Sequence, residues 1–96
     1  MSEAAKQPTA ADLQLIERFL DALWMERGLS ANTLSAYRSD LSQVAIWLNS
    51  SGNALQSVER ADLLAYLAAR GQQGFSARSQ ARQLTSLRRL YRWLVR

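Results

Sequence analysis

The 96 residues contain no cysteine and no histidine. The first absence excludes disulfides and thiolate metal sites, and the two together leave only oxygen ligands for a metal. The eight carboxylates are scattered and do not follow a calcium-loop spacing, so no metal and no other cofactor is expected. Enzyme chemistry that needs a histidine or cysteine side chain is excluded as well. One proline and four glycines are too few for a disordered or low-complexity chain. No apolar run approaches the roughly 18 residues of a membrane span. The start, Met1-Ser2-Glu3-Ala4-Ala5-Lys6, lacks the apolar stretch of a secretory signal. A cytoplasmic protein without a membrane partner is the expectation.

Negative charge is missing from the last third of the chain. All eight acids lie in residues 1–62, beside five cations, for a net charge of −3. Residues 63–96 carry Arg70, Arg78, Arg82, Arg88, Arg89, Arg92 and Arg96 and no acid, a net of +7. Such asymmetry suggests one surface suited to a polyanion. A merely solvated basic face is the plainer alternative.

The chain length suits one domain with one core. Apolar residues recur at helical spacing in four stretches, and none alternates as a half-buried strand would. The first helix is predicted from Ala10 to Arg27, with Leu13, Ile16, Leu20, Leu23 and Trp24 as its stripe. Thr9 and Asp12 read as a capping box and Gly28 as a stop. The second follows Ser30 and runs to about Asn49, burying Leu34, Tyr37, Leu41, Val44, Ala45 and Leu48. Its opposite face is small and polar, with Asn32, Ser35, Ala36, Ser39 and Gln43, and Asp40 to one side. The third spans about Arg60 to Arg70, turning Leu63, Leu64, Tyr66 and Leu67 inward. The fourth starts after Ser76 and runs to the end. Trp24 and Trp47 read as core or core-edge residues, Tyr37 as a packing residue.

On a wheel of about 100° per residue, the fourth helix separates into two opposed stripes. Leu84, Leu87, Leu90, Tyr91, Leu94 and Val95 form the apolar arc. Arg78, Arg82, Thr85, Arg89, Arg92 and Arg96 form the other, with Trp93 near it and exposed. No acid stands at i±3 or i±4 of these arginines, so they repel one another by a few tenths of a kcal/mol per pair. Phosphates would relieve that repulsion, since guanidinium pairs with them through two parallel bonds. Ser30 and Ser76 sit at helix starts, where free N–H groups favour phosphate. Singly, each serine is as well explained by capping.

The run from Phe19-Leu20-Asp21 through Gly28-Leu29-Ser30-Ala31-Asn32-Thr33-Leu34-Ser35-Ala36-Tyr37-Arg38-Ser39-Asp40-Leu41 resembles the N-terminal core-binding domain of tyrosine site-specific recombinases, the phage-integrase family. Ser79-Gln80-Ala81-Arg82-Gln83-Leu84-Thr85-Ser86-Leu87-Arg88-Arg89-Leu90-Tyr91 resembles that domain's last long helix. The resemblance covers about residues 13–96. It implies an all-α, compact four-helix SAM-like bundle forming half of a C-shaped clamp on double-stranded DNA, with the second and fourth helices facing the duplex. The DNA contacts it implies are Asn32, Thr33, Ser35 and Ser39 on the second helix, and Arg78, Ser79, Arg82, Gln83 and Arg89 on the fourth.

With the first helix starting at Ala10, residues 1–9 are expected to be a flexible N-terminus and 10–96 the core-binding domain. The family's catalytic tyrosine, arginines, lysine and His-x-x-Arg motif belong to a separate domain, so no catalytic residue is assigned here. The chain then reads as a piece of a longer DNA-cutting and rejoining enzyme acting in recombination or integration at the bacterial nucleoid. Its partners would be duplex DNA and neighbouring recombinase protomers on that DNA, with the isolated domain monomeric. A stand-alone helical DNA-binding regulator and a basic protein-interaction module are the alternatives.

Overall fold

The computed structural model describes residues 7–95. Four helices follow one another: α1 Ala10–Arg27, α2 Ala31–Ser50, α3 Arg60–Gln72 and α4 Ala77–Leu94. No strand occurs among the described residues, and no helix is long and apolar enough to cross a membrane. The expected all-α, four-helix bundle is therefore the observed one.

Local chemistry places the helix ends. Side-chain oxygens of Thr9, Ser30 and Ser76 accept from the backbone N–H three residues on, at 3.3, 3.2 and 3.1 Å, each satisfying one free donor of a first turn. At the start of α3 the Asp62 carboxylate reaches back to the Glu59 N–H at 3.2 Å. Gly28 ends α1 with φ of 61°, the left-handed conformation that a side chain would strain.

The capping box expected at Thr9 forms only by half. Asp12 is buried and turns inward, accepting from the Leu55 N–H and from Asn49 Nδ2, both at 3.2 Å. It pins the turn after α2 instead of closing its own helix. Asn49 Oδ1 in turn accepts from the Thr9 N–H at 3.2 Å. Of the stretch expected to be flexible, residues 1–6 lie outside the described residues, while Pro8 is buried and Thr9 caps α1.

α2 packs against each of the other three helices, and α3 packs on α4. Leu15, Ile16, Phe19 and Leu20 from α1 meet Leu41, Val44, Ala45 and Leu48 from α2, with Leu55, Tyr66, Leu87 and Leu90 closing the core. Side-chain burial of this kind contributes roughly 1.5–3 kcal/mol per large residue and holds the helices together.

Several expected core positions lie elsewhere. Trp24 is 57% exposed and Leu64 53% exposed. The buried face of α1 is set by Asp12, Leu15, Ile16, Phe19, Leu20 and Leu23, and Trp24 falls about 110° from its centre. Leu64 lies about 160° from Tyr66, the buried residue of α3, and so on the opposite face of that helix. Val95 lies past the end of α4 and is exposed. Trp93 is half-buried, its ring 5.6 Å from Phe19 and tilted against it, so the exposed tryptophan expected there is a packing residue.

Candidate nucleic-acid interface

α4 does not turn its arginines squarely away from the core. Its buried residues are Gln83, Ser86, Leu87 and Leu90, an arc centred about 50° nearer the arginine stripe than the leucine pattern suggests. Arg82 and Arg89 therefore lie at the margin of the packed face. Arg78, Thr85, Arg88 and Arg92 lie clear of it and are exposed.

Arg82 is the principal departure from expectation. Its Nε donates to Asp40 Oδ2 at 2.8 Å and its Nη2 to Asp40 Oδ1 at 2.9 Å. The Arg82 side chain is 49% exposed and that of Asp40 0%. Hydrogen bonding to Asp40 raises the Arg82 pKa above its ordinary value, aided by the carboxylate's charge. The acid that α4 lacks within its own turns comes from α2. The expectation of a guanidinium without a carboxylate partner is thus wrong for Arg82.

Gln83 is not a surface residue. It is 1% exposed, its Oε1 accepts from the Tyr66 hydroxyl at 2.8 Å, and its Nε2 donates to Gln43 Oε1 at 2.9 Å. The Tyr66 hydroxyl itself accepts from Arg70 Nε at 3.2 Å. This polar chain joins α2, α3 and α4 through the interior, and burial with both ends engaged leaves Gln83 nothing to offer a ligand.

The Arg89 guanidinium lies over the Tyr37 ring, 5.9 Å from its centroid, a cation–π arrangement that steadies it without neutralising it. Arg78 and Arg88 make no ion pair or side-chain hydrogen bond to another described residue. Ser79 is half-buried, its hydroxyl accepting from the Ser76 hydroxyl at 3.0 Å within the cap. On α2, Asn32, Ser35 and Ser39 are exposed and Thr33 is half-buried. Thr33 Oγ1 accepts from the Ser30 hydroxyl at 3.0 Å, and Ser39 accepts a long 3.4 Å bond from Gln43.

The cross-helix pairs fix how these residues lie together. Tyr37 meets Arg89, Asp40 meets Arg82 and Gln43 meets Gln83. Tyr37, early on α2, meets Arg89, late on α4, while Asp40 and Gln43 farther along α2 meet Arg82 and Gln83 nearer the start of α4, so the two helices run antiparallel along this seam. Asn32, Ser35 and Ser39 on α2 and Arg78 and Arg82 on α4 are exposed, and Arg89 is half-buried. The seam is basic, lined by short polar side chains and floored by one buried carboxylate. Sequence reasoning overlooked Asp40 and Gln43 as its framework. The available signal was the placement of Asp40 as the lone acid of α2, facing a helix with none.

An all-α bundle with this sequence belongs to a known family: residues 16–96 match the phage integrase, N-terminal SAM-like domain, and the chain is a member of it. That N-terminal domain does not carry the catalytic residues of a tyrosine recombinase. Among curated relatives, the chain is 51% identical over 82 residues to tyrosine recombinase XerD of Pseudomonas aeruginosa, covering 85% of this chain and 28% of that protein. It is 53% identical over 81 residues to XerD of Shewanella oneidensis, covering 84% and 27%. To XerD of Haemophilus influenzae it is 39% identical over 85 residues, covering 88% and 29%. The chain spans just over a quarter of the length of these relatives. No solved structure gives a significant match.

Proposed function

We propose that residues 10–96 bind duplex DNA as the N-terminal clamp domain of a XerD-like tyrosine recombinase, with the cutting and rejoining chemistry supplied by a separate catalytic domain. The observation that carries this reading is the α2–α4 seam. Five arginines stand on the described part of α4 with no acid among them, and Asp40 of α2 engages Arg82. A face that keeps like charges together at an energetic cost is suited to a ligand that supplies the opposite charge.

The contacts on this reading are Asn32, Thr33, Ser35 and Ser39 from α2 with Arg78, Ser79, Arg82 and Arg89 from α4. Arg78 and the free N–H groups at the start of α4 suit phosphate. Gln83 supports α4 from inside. The protein would work on the chromosome in the cytoplasm, beside neighbouring protomers on the DNA and as a monomer off it. Titration of a labelled duplex by fluorescence anisotropy across a salt series tests the proposal. The logarithm of the affinity should fall linearly with that of salt, with a slope of about −2 to −4 for three or four phosphate contacts. Absence of binding at low salt would contradict it.

A further inference from the structure

We propose that Arg82 reads sequence by holding the O6 and N7 acceptors of a guanine in the major groove, and that buried Asp40 is the positioning residue that fixes it for the task. The inference rests on the DNA binding proposed above and divides labour among the arginines of that face.

A guanidinium has two edges able to make paired bonds, Nε with Nη2 and Nη1 with Nη2. Asp40 occupies the first, at 2.8 and 2.9 Å. The second carries no hydrogen bond to another described residue, on a side chain that is half exposed. The edge left open is thus the one opposite a rigid anchor. Asp40 is wholly buried at the α2–α4 contact, so it cannot swing out with the arginine. Arg82 presents its open pair of N–H groups in a set direction.

Two consequences separate this residue from its neighbours. The charge of the pair cancels, so Arg82 has little to gain from a phosphate and adds little to counterion release. Its orientation is held before binding, which favours a ligand with two acceptors at fixed spacing. Guanine alone among the bases shows two acceptors on its major-groove edge. Arg78, one turn earlier, is exposed and makes no ion pair to a described residue, so it carries full charge without fixed direction, as phosphate binding needs.

The test is selection from a pool of duplexes with a randomised stretch, using the wild-type chain, Arg82→Lys, Asp40→Asn and Arg78→Ala. Wild type should enrich sites with one invariant G. Arg82→Lys keeps a cation beside Asp40 but has no fork. It should keep its non-specific affinity and salt slope while the preference for that G falls roughly ten-fold or more. Asp40→Asn should lose the same preference and steepen the salt slope by about 0.9, as the freed guanidinium turns to phosphate. Arg78→Ala should keep the preference and make the slope shallower.

The proposal is overturned if Arg82→Lys retains the G, or if it weakens all duplexes alike and flattens the slope as Arg78→Ala does, which marks a phosphate contact. Binding by wild type without base preference overturns it too, and leaves the DNA-binding reading standing. Failure of wild type to bind duplex at low salt removes that reading and this one with it. Should Asp40→Asn fail to fold, Arg82→Lys decides alone.

Discussion

Asp40 and Arg82 stand 42 positions apart in the chain and meet through two parallel hydrogen bonds, the carboxylate wholly buried and the guanidinium half exposed. An arginine on a binding face is normally dispensable for folding. This one is not, because its removal leaves a buried carboxylate without a counter-charge. Arg82→Ala should therefore lower the unfolding free energy by about 1–3 kcal/mol, less than for a fully enclosed pair since water can reach the vacated side. In a denaturant-based double-mutant cycle, Asp40→Ala and Arg82→Ala together should cost clearly less than the sum of the two. Additive costs would show that the pair is energetically inert.

Gln83 has the opposite character, a residue of α4 that serves only the interior. Gln83→Ala should destabilise the fold by about 1–3 kcal/mol, because the buried Tyr66 hydroxyl and the half-buried Gln43 amide lose their partner. Duplex affinity measured well below the melting temperature should stay at the wild-type value. A loss of affinity in a fully folded Gln83→Ala protein would place this side chain back on the binding surface.

The packed stripe can be checked with two leucines of contrasting burial. Leu87 is 2% exposed and Leu64 53%. Leu87→Ala should cost roughly 2–5 kcal/mol, as core truncations do. Leu64→Ala should stay within about 0.5 kcal/mol of wild type, as exposed substitutions do. Thermal unfolding followed by circular dichroism distinguishes them, and equal melting temperatures would mean that the buried face is misassigned.

Tyr91 gives the fold an alkaline limit. Burial, helped by the charge of Asp12, pushes its pKa from the ordinary 10.0 to about 12. Its hydroxyl donates to the Leu55 carbonyl oxygen at 2.9 Å. A group whose folded pKa exceeds its unfolded value contributes fully below the unfolded pKa and loses that contribution as pH rises to the folded one. Stability should thus fall between about pH 10 and pH 12. Tyr91→Phe should be less stable at neutral pH by about 0.5–1.5 kcal/mol, for the lost bond, and should show a shallower decline over that alkaline window. Denaturation midpoints collected across the window make the comparison, and parallel curves for the two proteins would exclude Tyr91 as the source.

What could be read in the sequence was what a few neighbouring residues decide. Thr9, Ser30, Ser76 and Gly28 each settle a helix end within one turn, and the expected boundaries agree with the observed ones to within two residues at all four helices. The core of α2 was legible because its apolar residues form one unbroken stripe. The rotation of α4 was not. Counting leucines ignores that Gln83 and Ser86 are buried when partners exist, here Tyr66, Gln43 and the Gln83 carbonyl. Those partners lie on other helices or depend on packing, and no local pattern announces them. The same is true of Arg82, whose acid belongs to a different helix. Trp24 was misread because hydrophobicity alone does not say which flank of α1 has a neighbour. The family itself was legible in the Asn32-Thr33-Leu34 to Asp40-Leu41 signature, and the match to the integrase N-terminal domain agrees with it.

The central claim is that the outer side of the α2–α4 seam meets duplex DNA. Amide chemical shifts of the labelled chain, followed during titration with a duplex at low salt, test it most directly. The expected shifts concentrate at Asn32, Thr33, Ser35 and Ser39 and from Arg78 to Arg89, and they vanish as salt is raised. Shifts confined to α1 and the exposed face of α3, with the seam unmoved, would contradict it.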